Sequence, residues 1–206
     1  MRIHHHLVLR RTPYDPCGAG RRPVAPNRIR ALIPALLVAL VVLGAGCSKA
    51  SGTDGGQQGA DAALSAALRA HADGRLDDAS RLYRRVLVLD PQNKFAYYNL
   101  GLIAQTRGLD GDAADDYEQA LAIDPAFDPA LFNLAIVRTR LGDTEAATDL
   151  YRQAIAANPG DARAHLNLGF LLLDAGDRQA GTREFRAAVE LDPSLASRIP
   201  DDVAAG

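Results

Sequence analysis

A period of 34 residues governs most of this chain. Gly74, Gly108, Gly142 and Gly176 are 34 residues apart, and Pro91, Pro125, Pro159 and Pro193 keep the same spacing. The aromatics Tyr83, Tyr117, Tyr151 and Phe185 keep it too. Each residue type has its own mechanical reason to recur: glycine ends one helix, proline cannot continue another, and an aromatic ring fills the wedge between them. The period therefore predicts four stacked helical hairpins, in blocks 60–93, 94–127, 128–161 and 162–195. One hairpin cannot bury its apolar face alone, and about three stacked units are needed for a stable core.

The residues before the repeats have a different character. Seven arginines and one acid, Asp15, precede Cys47, so the remainder of the chain holds 16 basic and 24 acidic residues. A body that acidic is poorly suited to nucleic acid, whose phosphates need clustered Lys and Arg. Arg28 and Arg30 lead into thirteen uncharged residues, 31–43, followed by Gly44-Ala45-Gly46-Cys47. A basic end, a short apolar run and small residues form a secretory signal. With Cys47 next, residues 1–46 resemble a bacterial lipoprotein signal, which implies lipidation of Cys47 as the mature terminus. Gly44 departs from the usual pattern, which has leucine three residues before the cysteine.

An uncleaved anchor is the rival reading. Residues 31–45 would span about 22 Å as a helix, against a hydrocarbon core of about 30 Å, and Pro34 interrupts them. Either reading puts the repeats outside the cytoplasm, because the arginines remain inside. Residues 1–23 carry His4-His5-His6 and Cys17 but no apolar periodicity, so translation is expected to start near Val24. Adjacent histidines alone are no preorganised metal site, and no metal or other cofactor is expected. Residues 47–59, rich in Gly, Ser and Gln, read as a flexible tether, and 196–206 as a short tail that leaves the last hairpin without a capping helix. Self-association through that end is one consequence.

Within the blocks, Tyr97-Tyr98-Asn99-Leu100-Gly101 answers Leu131-Phe132-Asn133-Leu134-Ala135 and His165-Leu166-Asn167-Leu168-Gly169. Small residues recur at Ala79, Ala113, Ala147 and Gly181, and at Val86, Ala120, Ala154 and Ala188. Asp or Asn precedes every late proline. The region 60–195 thus resembles the tetratricopeptide repeat family. The resemblance implies an all-α, right-handed solenoid of four helix-turn-helix units, about eight helices in all. The first block, with Ala63, Ala66 and Ala67 at signature positions, reads as a capping unit. Asp110, Asp143 and Asp177 are expected to cap the helices after the turns.

In that family the first helix of each hairpin lines a concave face that binds peptides. Carried over residue by residue, the face comprises Phe95, Tyr98, Asn99 and Leu102, then Phe132, Asn133, Ile136 and Arg140, then Arg163, Asn167 and Phe170. Leu166 falls on the same stripe. The groove so drawn is apolar and aromatic, with Arg140 and Arg163 as its cations. Asn99, Asn133 and Asn167 resemble an asparagine ladder, whose amides both donate to and accept from a peptide backbone. The Lys and Arg positions of the carboxylate-clamp subgroup hold mostly apolar residues here.

Nothing in the repeats forms a nucleophile with a base and an orienting group. His71 and His165 fall at different repeat positions, and the adjacent carboxylates Asp77-Asp78 and Asp115-Asp116 point apart on a helix. The sequence therefore predicts a non-catalytic adaptor that binds a protein or peptide. The resemblance places it as a lipoprotein at the outer membrane facing the periplasm, or at the outer leaflet of the cell membrane. Its work there would be envelope, pilus or secretion assembly. A substrate-capturing accessory subunit of an envelope enzyme is the alternative.

Overall fold

The computed structural model describes residues 54–200 and Val203. Cys47 and the signal segment lie outside the described residues. Among the described residues eight α-helices follow in order: α1 Asp54–Ala72, α2 Leu76–Leu89, α3 Lys94–Thr106, α4 Asp110–Ile123, α5 Asp128–Arg140, α6 Thr144–Ala157, α7 Ala162–Asp174 and α8 Arg178–Leu191. A short 3₁₀ segment, Pro193–Arg198, closes the order. The helices pair as α1/α2, α3/α4, α5/α6 and α7/α8, and each second helix packs on the first helix of the next pair. This is the all-α solenoid that the period predicts.

Both kinds of turn follow from local chemistry. Gly74, Gly108, Gly142 and Gly176 have φ of 74°, 72°, 81° and 85°, the left-handed region where a side chain is strained. Around each, two N–H groups close the preceding helix, as where Gly108 donates to Gln105 and Leu109 donates to Ala104, both at 3.0 Å. At the other turn, Asp90, Asp124, Asn158 and Asp192 each end a helix, and each side chain accepts the N–H two residues on. The acid or amide before proline is thus an Asx turn that steers the chain into the next hairpin.

Tyr83, Tyr117, Tyr151 and Phe185 are all buried. A Cβ at Gly101 would lie 2.6 Å from the Tyr117 ring, and one at Gly169 would lie 2.7 Å from the Phe185 ring. The small residue of each first helix is therefore the seat of its own hairpin's aromatic ring.

Three sequence expectations are corrected. Asp143 and Asp177 do cap, accepting from Ala146 and Ala180, but Asp110 does not: the residue before that helix is Leu109, which has no side-chain cap. Asp110 sits one position later and pairs with Arg140 instead. Next, α1 starts at Asp54, so residues 54–59 are helical rather than part of a flexible tether. Ala60 is buried, and Gly59 lies so near Leu89 that an added Cβ would be 3.6 Å away, so extending the helix packs it on α2. Finally, the last hairpin is not bare: Leu195, Ile199 and Val203 are buried against Leu166, Phe185 and Ala188. The short tail does the work of a capping helix, which removes the ground for self-association through an open end.

Candidate functional site: the face of α3, α5 and α7

Side chains knit the first helices together along one face. Asn133 Nδ2 on α5 donates to Tyr98 Oη on α3 at 3.2 Å. The Arg163 guanidinium on α7 lies 4.7 Å from the centre of the Phe132 ring on α5. Between these contacts a depression of about 480 Å³ opens, lined by Tyr98, Leu102, Pro129, Phe132 and Asn133, and closed at its end by Asp128, Asn158, Gly160, Asp161 and Arg163. A second depression of about 350 Å³ lies further along, lined by Ile136, Thr139, Arg140, Tyr151, Asn167, Phe170, Leu171 and Asp174. Nine of the sequence-assigned face residues thus gather in two neighbouring hollows.

The other two stand apart. Phe95, 48% exposed, borders a separate depression with Lys94, Ile123 and Asp124. Asn99 lies outside all three and donates its amide to the Phe95 carbonyl at 2.7 Å. Leu166, on the same stripe, is wholly buried in the end cluster with Phe185 and takes no part in the face.

The asparagines meet their own chain first. Asn133 Nδ2 also donates to the Pro129 carbonyl at 2.8 Å, and Asn167 Nδ2 donates to Tyr151 Oη at 3.1 Å. None of these bonds uses an Oδ1 atom. The amides are held in fixed orientations, and the lone pairs of Oδ1 are what they offer.

The electrostatics differ from the sequence picture. Arg140, assigned as a groove cation, is paired with Asp110. Arg163 is gripped by Asp161, from Nε at 3.0 Å and from the terminal nitrogen at 2.8 Å. Burial pushes the Asp161 carboxyl upward, but the hydrogen bonds and charge of Arg163 outweigh it and hold the group below the ordinary carboxylate range. Burial raises the Tyr98 hydroxyl; the bond from Asn133 and the charge of Arg163 work the other way, and nearby Asp128 adds to the rise. The groove is therefore not an apolar trough with two cations. It is an aromatic trough with a polar, acid-bearing end.

Asp128, Asn158, Gly160 and Asp161 were missed because they occupy loop and first-turn positions rather than the helix stripe. A signal was present at a spacing of 30: Lys94 pairs with Asp124, and Asn158 Nδ2 donates to Asp128 at 3.0 Å. These are the same two repeat positions with the donor and acceptor exchanged.

His71 and His165 are each occupied inside their own hairpin. His71 Nδ1 is 3.3 Å from Tyr83 Oη, and His165 Nδ1 is 2.7 Å from Glu184 Oε2. Among the described residues, no three His, Cys, Asp or Glu side chains are grouped to hold a metal ion. No helix among them is long and apolar enough to cross a membrane.

Two stretches, 64–126 and 139–198, match families described as tetratricopeptide repeat, and together they span more than half of the chain. Comparison with curated proteins returns no match. Among solved structures, MamA is similar at 25% identity and a TM-score of 0.61, covering 67% of this chain and 81% of that one. YrrB, described as a TPR protein with an unusual peptide-binding site, is 24% identical with a TM-score of 0.63, over 70% of this chain and 74% of that one. PilF of Pseudomonas aeruginosa is 23% identical with a TM-score of 0.61, over 69% of this chain and 65% of that one.

Proposed function

Because the chain belongs to the tetratricopeptide repeat family, we propose that it is a non-catalytic adaptor that holds an extended segment of a partner protein against α3, α5 and α7. The observation that carries this reading is the pair of hollows along those helices, of about 480 and 350 Å³. Each has an aromatic wall and fixed amide lone pairs, which together take side chains into pockets and backbone N–H groups onto oxygens. Repeat proteins of this architecture act as interaction modules, and YrrB, with its peptide-binding site, shares the fold.

We further propose that the adaptor works outside the cytoplasm, anchored through lipid on Cys47 or by the apolar segment 31–45. The sequence of basic residues, apolar run, small residues and cysteine supports that placement. An assembly role in the envelope follows from it, since an anchored module without chemistry of its own acts by bringing another protein to the membrane.

Crosslinking in intact cells, followed by purification of the chain from membranes, tests both parts. A defined partner should co-purify with the native chain and be lost with Tyr98→Ala, provided that the variant melts like the native protein. Unchanged recovery of the partner with Tyr98→Ala sinks the groove reading. A chain found wholly in the cytosol sinks the anchoring.

A further inference from the structure

The face of α3, α5 and α7 shows one recurring device for holding a cation. Lys94 is paired with Asp124 and lies 4.8 Å from the centre of the Phe127 ring. Arg163 is paired with Asp161 and lies 4.7 Å from the centre of the Phe132 ring. In each case a carboxylate supplies charge and an aromatic face supplies a second, weaker attraction that persists when water is excluded. A third combination lies between them. Asp128 and Tyr98 line the same hollow of about 480 Å³, yet none of the ion pairs among the described residues includes Asp128. Its carboxylate accepts a neutral amide hydrogen from Asn158 at 3.0 Å, and the positive charge that reaches it, Arg163, is already paired with Asp161.

The rest of the hollow has the same preference. Asn133 has directed its amide hydrogens to Tyr98 and Pro129, so its oxygen remains as an acceptor. The positive groups nearby are held within the chain, Arg163 by Asp161 and Arg140 by Asp110. From Cys47 onward the chain carries 24 acidic against 16 basic residues, so the long-range field also favours a positive partner.

We infer that the segment held here is basic, and that one of its lysine or arginine side chains enters the hollow beside Tyr98 to meet Asp128. This inference deepens the peptide-holding reading above and rests on it. Apolar contacts along Leu102 and Phe132 would set the affinity, and the cation would set which segment is chosen. An acidic segment is rejected because its carboxylate would face Asp128, while Arg163, the cation beside it, is already held by Asp161.

Selection from a random library of short displayed peptides, on the full chain, is the test. Enriched peptides should carry Lys or Arg at one fixed register. In a synthetic copy of the best of them, norleucine at that register should weaken binding about tenfold. Asp128→Asn should bind the cationic and norleucine versions equally. Enrichment of acidic or purely apolar peptides overturns the inference but leaves the groove reading standing, as does a cation preference that survives Asp128→Asn. A library that yields no enriched peptide removes both.

Discussion

The loop before α5 and the loop before α7 occupy the same repeat position and use it in opposite ways. Asp161 caps its helix, accepting the Arg163 N–H at 3.0 Å, and also grips the Arg163 side chain. Phe127, at the equivalent place, forms no side-chain cap. Its ring packs edge-on against Phe95 and Tyr98, with centroids 5.6 and 5.3 Å apart. An N-cap is worth about 1 kcal/mol, and each aromatic pair about 0.5–1.5 kcal/mol beyond its buried area, so the two ring pairs of Phe127 outweigh the missing cap by about 1 kcal/mol. What changes is the wall of the neighbouring face, which is aromatic at one junction and charged at the other. The period fixes that a junction exists, and the residue in this loop decides what the junction presents.

The largest effect should be common to both junctions. Tyr117→Ala and Tyr151→Ala each remove a buried ring seated on the small residue of its partner helix, at a cost of about 3–5 kcal/mol. Denaturant unfolding monitored by helix signal reads both. If one ring proves expendable, the two hairpins are not built alike and the comparison loses its footing. A smaller effect separates the junctions. Phe127→Asn supplies the missing cap but loses the ring contacts, and the net outcome should be a loss of about 1 kcal/mol with a weakened hold on any bound peptide. A stability gain would show that the ring contributes nothing to the fold. Asp161→Ala should cost about 1 kcal/mol by thermal melting and free Arg163 from its carboxylate, whereas Phe127→Ala should leave the start of α5 no worse capped than before.

The starts of α3, α5 and α7 fall on the first residues of the blocks read from the period, and the four left-handed glycines end helices where the spacing puts them. These features are legible because they depend on a residue's own backbone. The misread ones depend on a partner elsewhere in the chain. Asp110 looks like a cap until Arg140, 30 residues on, claims it. The tail looks bare until Ile199 and Val203 fold back onto Phe185. The polar end of the groove is assembled from Tyr98, Asp128 and Arg163, one from each of three successive blocks, so no single block displays it.

The finest contrast is at one position of the second helices. Leu82 and Leu150 occupy it in α2 and α6 and pack against the core, while α4 carries Asp116 there. Burial pushes the Asp116 carboxyl up to about 6; Arg84 opposes the shift, and Asp112 and Asp115 add to it. A folded-state value above the unfolded one means that the native chain binds more protons between about pH 4 and 6. This group's contribution therefore falls as pH rises through that window, and it opposes folding at pH 7. Depressed carboxyls such as Asp124, held down by Lys94, act in the other sense, so the native profile alone is a mixture. The difference between the native chain and Asp116→Leu isolates the group. Because the side chain is only half-buried, solvent screening reduces the expected gain at pH 7 to about 1 kcal/mol, shrinking to the packing difference alone below pH 4. Melting temperatures of the two proteins should converge as the solution is acidified. Curves that stay parallel from pH 4 to 7 would mean that Asp116 is as well solvated as any surface carboxylate, and that α4 differs from α6 in residue but not in environment.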